Sequence, residues 1–311
     1  MSDKQTYDIW VEKYRPIKFK DVLMPADTKK FFTTKMKQKN IDNLLLVSSS
    51  PGTGKTTTAK CICNDMEAEY DYINISKDSG VDTLRSRISK FASCKSFSGS
   101  PKIMILDEFD GASSQLQKGL RAAIEEYHNS CRFILICNYI THIIQPLRSR
   151  LTEINYDLSE TKVIAEMKPK IVTRLIVILK NEKVEFSIDT IQQLVDTYYP
   201  DIRKMLGLLQ QFSTVSGCIT PDIFDYQAID SEFYDLILNK KFPKARKYAI
   251  EHGYNYDEIF TSLFNNFLPL VDKSKYAQIL LIIGEYMYRN GFVIDKEINF
   301  ACMLMEIIGV L

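Results

Sequence analysis

An α/β domain built on a parallel sheet, followed by an all-helical remainder, is the fold class the sequence predicts, and three observations predict it. The apolar run Leu44-Leu45-Leu46-Val47 leads into SSSPGTGKTT (residues 48–57) and then into the small and apolar spacing of TTTAKCICNDM. That order reads as buried strand, glycine-rich loop and helix. A second apolar run, KIMILDEFD (residues 102–110), ends in the acidic pair Asp107-Glu108. From Glu153 onward the pattern changes, and apolar residues then recur mostly at helical intervals to the C-terminus.

Length and composition leave room for this plan. At 311 residues, 45% hydrophobic and 25% charged, the chain can hold two or three domains with cores that need no staples. No apolar run approaches the roughly 18 to 20 residues that span a bilayer. MSDKQTYDIW lacks the apolar centre of a signal peptide, so a cytoplasmic protein is expected. The seven cysteines include no C-x-x-C and the three histidines lie far apart, which argues against a zinc module and a disulfide framework. A net charge of +1 means that nucleic acid would have to be met by a local basic surface, since no global field draws it in.

Taken in order, the chain opens on WVEKYRP (residues 10–16). Pro16 ends any helix before it, and Asp27 is expected to cap a helix starting near Thr28. After the glycine-rich loop and its helix, YDYINIS (residues 70–76) alternates as a strand. VDTLRSRISKFASC then reads as an amphipathic helix, with Val81, Leu84, Ile88 and Phe91 on one side and Arg85, Arg87 and Lys90 on others. A helix over 113–127 leads to the buried strand CRFILICN, which ends on Asn138, and Arg148 and Arg150 follow closely. Helices are expected over 160–184, over 187–199 with Asp189 near its start, and from Pro200-Asp201 onward. ITPDIFDYQAID (residues 219–230) reads as a linker, and the helices after it carry broad apolar faces that suggest burial against copies of the same chain.

The chemistry concentrates at strand ends. In the loop, Ser50, Pro51, Gly52, Thr53, Gly54, Lys55, Thr56 and Thr57 form a phosphate cradle. Gly52 and Gly54 let backbone amides face phosphate oxygens, and the following helix adds its positive end. Lys55 would reach the β- and γ-phosphates of a nucleotide and Thr56 would ligate magnesium. Ser49 stands where the first glycine of the usual pattern would be. Asp107 would hold Mg2+ through its water shell, and Glu108 would act on the water attacking the γ-phosphate. Asn138 is placed to hydrogen-bond that water or the γ-phosphate. Arg203 falls early in its helix, where the macrodipole disfavours a cation, so a nucleotide role is expected for it.

Together these residues resemble the AAA+ sliding-clamp loaders, and the resemblance covers nearly the whole chain. WVEKYRP looks like the opening box of the small subunits of replication factor C. SPGTGKTT, ILDEFD, Asn138, Leu147-Arg148-Ser149-Arg150 and Pro200-Asp201-Ile202-Arg203 follow in the family's order. The compact length and the DEFD wording look most like the large, ATPase subunit of T4-type bacteriophage clamp loaders. The resemblance implies a Rossmann-like P-loop domain with a parallel sheet (1–156), a small helical lid (157–228) and a helical collar for oligomerisation (229–311). It makes Asn138 the first sensor, Arg150 an arginine finger acting on the neighbouring subunit's ATP, and Arg203 the second sensor. Val11, Tyr14 and Pro16 of the arm would lie against the adenine. Arg85, Arg87 and Lys90 become candidates for DNA phosphate contacts, and Phe91 and Phe97 candidates for touching the clamp. Leu151 and Pro200 depart from the family pattern, where cysteine and glycine are frequent, and neither change removes a charge.

The activity the resemblance implies is ATP hydrolysis, stimulated by DNA and clamp, in a hetero-oligomer, a pentamer of copies of this chain with a small partner subunit. Two other readings share parts of the motif set. One is a different AAA+ DNA motor for branch migration or helicase loading, which usually carries a basic C-terminal DNA reader that the apolar C-terminal helices here do not resemble. The other is a scaffold subunit without hydrolysis, against which intact Lys55, Thr56, Asp107, Glu108 and Arg150 argue.

Overall fold

A computed structural model describes residues 9–38, 41–77, 80–94, 99–156, 158–224, 231–254, 256 and 259–311. Phe97 and the end of the expected linker at 225–230 lie outside the described residues. The chain divides into two compact units, 1–220 and 221–311.

The first unit begins with a short helix α1 (Trp10–Lys13) and helix α2 (Ala26–Lys37). Asp27 does not cap α2: the helix starts earlier, with Pro25 at its N-cap and Asp27 inside the first turn. There a carboxylate still complements the helix dipole. Strand β1 (Leu44–Val47) and helix α3 (Lys55–Asp65) flank the glycine-rich loop. Then come β2 (Glu69–Asn74), α4 (Val81–Ser93), β3 (Lys102–Asp107), α5 (Ser114–Glu126), β4 (Arg132–Cys137), α6 (Gln145–Arg148) and β5 (Thr152–Asn155). The sheet order is β2-β3-β4-β1-β5 and every pairing is parallel.

Burial on both faces explains why the central strands are continuous apolar runs rather than alternating ones. Leu45, Val47, Met104, Leu106, Phe133 and Leu135 point to one side, packing on Leu84 and Ile88 of α4 and Leu116 and Leu120 of α5. Leu44, Leu46, Ile103, Ile105, Ile134 and Ile136 point to the other, against Phe32 of α2 and Ala59 and Ile62 of α3. The alternation along each strand thus divides one sheet between two cores.

Helices α7 (Thr161–Asn181), α8 (Ile188–Tyr198) and α9 (Ile202–Ser216) complete the first unit, with a small parallel pair, β6 (Glu185–Phe186) and β7 (Cys218–Ile219). The second unit is helical: α10 (Ser231–Leu238), α11 (Phe242–Glu251), α12 (Ile259–Ser262), α13 (Lys273–Asn290) and α14 (Lys296–Val310). The chain breaks between α10 and α11 after Leu238, and Pro243 sits in the first turn of α11, where a missing N–H costs nothing. Phe233, Phe260, Phe267, Ile279, Phe300 and Leu304 are all buried in this unit's own core. Among the described residues, no helix is long and apolar enough to cross a membrane.

Candidate active site

Parallel strands place their carboxyl ends side by side, and in this sheet β3, β4 and β1 are consecutive neighbours. The residues that follow them therefore meet at one edge: Glu108 after β3, Asn138 after β4 and the glycine-rich loop after β1. This edge is where open α/β sheets bind ligands. A cavity of about 440 Å³ opens there, within the range of small-ligand sites. Its wall includes the loop from Pro51 to Thr57, Asp107, Glu108 and Asn138 from the sheet, Val11, Tyr14 and Pro16 from the arm, and Arg203 from α9.

The loop is shaped by its glycines. Gly54 (φ +92) is the left-handed N-cap of α3 and makes Lys55 the first helical residue. Gly52 (φ +68) is needed for space as well: a Cβ there would sit 1.8 Å from Oδ1 of Asp201, the side chain that caps α9 by accepting from the Lys204 N–H. Lys55 is buried, and its ammonium donates to the carbonyls of Ser48 and Ser50 (both 3.2 Å) and to Oδ1 of Asn138 (3.0 Å). Burial pulls its pKa below the usual lysine range, the nearby Arg203 charge adds to this, and Cys137, Asp107 and Asp110 oppose it. An incoming polyphosphate would restore what burial removes.

Asp107 is the most heavily bonded acid of the site. Its Oδ2 accepts from the Thr56 hydroxyl (2.8 Å) and the Tyr72 hydroxyl (2.9 Å), and its Oδ1 accepts from the Glu108 N–H (2.9 Å). Glu108 has a left-handed backbone, φ +53, uncommon for a residue with a Cβ and characteristic of strained functional positions. Ser76 and Asn74 hydrogen-bond its carboxylate, Asn74 at 3.0 Å, and hold it below the ordinary carboxylate range. Asp110 accepts from the N–H groups of Asn138 and Tyr139 (both 3.3 Å) and so fixes the turn after β4.

Two groups fit a magnesium–nucleotide complex. The Thr53 hydroxyl in the loop is buried without a hydrogen-bond partner, an orphan that a phosphate oxygen would satisfy. Thr56 and Asp107 supply a hydroxyl and a carboxylate side by side, the hard oxygen donors Mg2+ prefers. Among the described residues no cluster of three His, Cys, Asp or Glu could hold a metal alone. The ion would accordingly depend on nucleotide and water for its remaining ligands.

The arm reaches helices α7 and α9. The Trp10 N–H donates to Gln210 of α9 (2.9 Å), Lys13 and Tyr14 both bond Glu182 just past α7, and Arg174 of α7 bonds the Tyr14 carbonyl (3.2 Å). Burial first, then Glu182, pushes the Tyr14 hydroxyl up to about 12. The other end of the arm is fastened to α3, through Cys61 to the Pro16 carbonyl and the Phe19 N–H to Asp65 (3.0 Å).

Arg150 is not part of the cavity wall. It is exposed beyond α6, paired with Glu125 of α5 and bonded to the Pro146 carbonyl (2.6 Å). The basic side chains of α4 differ among themselves. Arg85 lies over Gly119 of α5, where a Cβ would come within 2.7 Å of its Nε. Arg87 is engaged by Asp71 through two bonds (2.9 and 2.7 Å) and by the Tyr72 carbonyl (3.1 Å), while Lys90 is exposed. Phe91 is half-buried with the Lys102 ammonium 4.3 Å from its ring centre. Lys60, Tyr72, Asn74 and Arg174 also line the cavity and escaped the sequence reading. None of the four falls in a motif, and Asn74, inside the strand expected over 70–76, becomes a strand-end amide only in the fold.

Comparison with known proteins places this geometry. Residues 45–157 match the ATPase family associated with various cellular activities (AAA). The chain is 30% identical over 306 residues to the sliding-clamp-loader large subunit of Escherichia phage RB69, covering 95% of this chain and 94% of that one. It is 30% identical over 302 residues to the same subunit of Enterobacteria phage T4, with 95% and 94% covered. The replication factor C small subunit of Archaeoglobus fulgidus is 32% identical over 304 residues, with 92% of each chain covered. Among solved structures, the Thermotoga maritima RuvB Holliday junction branch migration motor superposes with a TM-score of 0.54 over 85% of this chain and 97% of that one. At 17% identity that likeness is one of fold alone. A phosphate loop, an acid pair and a strand-end amide meeting at one sheet edge, in a chain related along nearly all its length to these subunits, make it a member of the sliding-clamp-loader family of AAA ATPases.

Proposed function

We propose that this chain is the ATP-hydrolysing subunit of a hetero-oligomeric DNA clamp loader, in which ATP binding opens a sliding clamp and hydrolysis, stimulated by primer–template DNA and clamp, closes and releases it on DNA. The observation that carries the reading is a division of cations. Lys55 and Arg203 line the same cavity as Thr56 and Asp107, whereas Arg150 stands outside it on an exposed surface. A cavity with its own lysine and arginine can bind a triphosphate within one subunit, and an outward arginine can complete only a neighbour's site.

In this reading Lys55 gives up its carbonyl partners for phosphate oxygens, with Asn138 keeping its ammonium aimed, and Arg203 neutralises charge from the lid side. Bound Mg2+ would supply electrostatic stabilisation of charge developing on the phosphates, held by Thr56 and, through water, by Asp107. Glu108, kept ionised by Ser76 and Asn74, accepts a proton from the attacking water. Val11, Tyr14 and Pro16 line the base end of the cavity. Copies of this chain and a small partner subunit would assemble through the C-terminal unit, in the cytoplasm of the host cell. Arg85 and Lys90 are the side chains of α4 we place toward DNA phosphates; Arg87 reaches them only by giving up Asp71.

Steady-state ATPase activity of the reconstituted complex tests this, with and without primer–template DNA plus clamp. Stimulation by both together is expected, and Arg150→Ala should lower the stimulated rate roughly a thousandfold, as loss of a trans arginine does in other P-loop enzymes. Its ATP affinity should not change. Stimulation by DNA that is indifferent to clamp would favour another AAA+ motor, and ATP binding without hydrolysis under any condition would favour a scaffold subunit.

A further inference from the structure

We propose that Tyr72, in the middle of β2, is a positioning residue for the magnesium site: its hydroxyl fixes the Asp107 carboxylate in the orientation that serves the ion. The inference rests on the ATPase reading above and extends it to a residue that no motif marks. Asp107 Oδ2 accepts two hydroxyls, from Thr56 (2.8 Å) and from Tyr72 (2.9 Å). The two are not equivalent. Thr56 is itself a candidate metal ligand, and its hydroxyl must turn toward the ion and present a lone pair to it. Tyr72 has no such second duty. Once Thr56 is engaged, Tyr72 is the side chain among those bonded to Asp107 that still holds Oδ2, while the Glu108 N–H holds Oδ1 (2.9 Å).

Tyr72 is itself held at three points. Arg87 of α4 bonds its carbonyl (3.1 Å) and clamps the adjacent Asp71 with two bonds. The Lys60 ammonium of α3 lies 4.4 Å from its ring centre, a cation–π contact that fixes the ring plane. The parallel register of β2 on β3 pairs Tyr72 with Ile105 and Asn74 with Asp107, so the phenol must lean along the strand direction to reach the carboxylate. The Arg87 bond fixes the strand backbone, the Lys60 contact fixes the ring plane, and the Asn74 amide also bonds the phenol oxygen, so the hydroxyl reaches the carboxylate from a fixed position. Orientation of a metal-serving group by its outer partners depends on such partners.

The test is an equilibrium titration on the full-length chain with a fluorescent N-methylanthraniloyl-ADP probe, first in EDTA and then with increasing Mg2+. Tyr72→Phe keeps the ring and the Lys60 contact and removes only the hydroxyl. Probe affinity in EDTA and the thermal melt should match wild type, while the Mg2+ concentration for half-maximal response rises roughly tenfold, the lower end of what outer-shell substitutions cost. In an Asp107→Asn background the same substitution should shift that concentration less than about twofold, because the two residues act as one unit. An unchanged Mg2+ requirement overturns the proposal, as does an equal shift in both backgrounds. Affinity already lost in EDTA would make Tyr72 a packing residue and overturn it equally. A wild-type chain that binds no probe under either condition would instead sink the nucleotide-site reading, and this inference with it.

Discussion

Gly52 and Gly54 look interchangeable in the string SPGTGKTT, yet they are constrained by different things. Both have positive φ, +68 and +92. A Cβ at Gly54 meets nothing within 4 Å, so Gly54→Ala should cost only the backbone strain of a left-handed alanine, about 1 kcal/mol. A Cβ at Gly52 collides with Asp201, 1.8 Å from its Oδ1, and comes within 3.3 Å of Arg203 Cβ. Asp201 can retreat only by abandoning the cap of α9, itself worth about 1 kcal/mol. Gly52→Ala should therefore cost about 2–3 kcal/mol in urea unfolding. Combining it with Asp201→Ala should cost clearly less than the sum of the two single changes, since one clash then has no partner. Strict additivity would mean that α9 and the loop do not touch in solution. The motif announced both glycines; only the fold distinguishes the one that permits a turn from the one that lets α9 approach.

At the scale of elements, strands were legible where pattern matched burial: the half-exposed edge strand β2 by its alternation, and the strands buried on both faces by their continuous apolar runs. β1, β3 and β4 are near-continuous apolar runs and end within a few residues of where the sequence places them. β5 was not legible: at the sheet edge, Thr152-Glu153-Ile154-Asn155 has one apolar residue and is nowhere fully buried, so its pairing with β1 comes from register rather than pattern. The fastening of the arm was hidden for another reason, because Trp10 and Gln210 lie 200 residues apart and Tyr14 and Glu182 168 apart. That fastening makes a pH prediction. Burial would raise the Glu182 carboxyl, but the bonds from Lys13 and Tyr14 outweigh it and hold its pKa below the ordinary value. A depressed folded pKa means that the clasp contributes fully above the unfolded carboxyl value, about 4.3, and is lost as pH falls through the lower folded value. Trp10, the single tryptophan, is buried 93% of its surface away from water at 7% exposure and reports on this directly. Its emission should shift to the red in that acid window, and Glu182→Ala should abolish the step while leaving far-UV circular dichroism unchanged. The same step in both proteins would assign it to general acid unfolding.

At the scale of the molecule, the two units differ in what their surfaces leave unpaired. The second unit buries its own core, yet α13 still exposes Leu281 (74%), Tyr288 (72%) and, just past its end, Phe292 (75%), spaced seven and four residues apart along one side. Ile298 and Met305 repeat the seven-residue spacing on α14. Stripes of that kind are costly on a solitary protein and ordinary at an assembly interface. The ring pair Tyr288–Phe292, with centroids 5.2 Å apart, offers a preformed aromatic anchor. If assembly through this unit brings Arg150 to a neighbour's cavity, disrupting the stripe must disable hydrolysis without touching the nucleotide site. Tyr288→Asp with Phe292→Asp should leave the melt and the Mg2+–nucleotide affinity of the chain within error of wild type, because both side chains are already in water. The same pair should shift the species seen by analytical ultracentrifugation toward monomer and reduce the stimulated ATPase rate about as far as Arg150→Ala does, roughly a thousandfold. An assembly that survives both aspartates would place the interface elsewhere on the chain, and full activity in a monomer would show that Arg150 does not act on a neighbour at all.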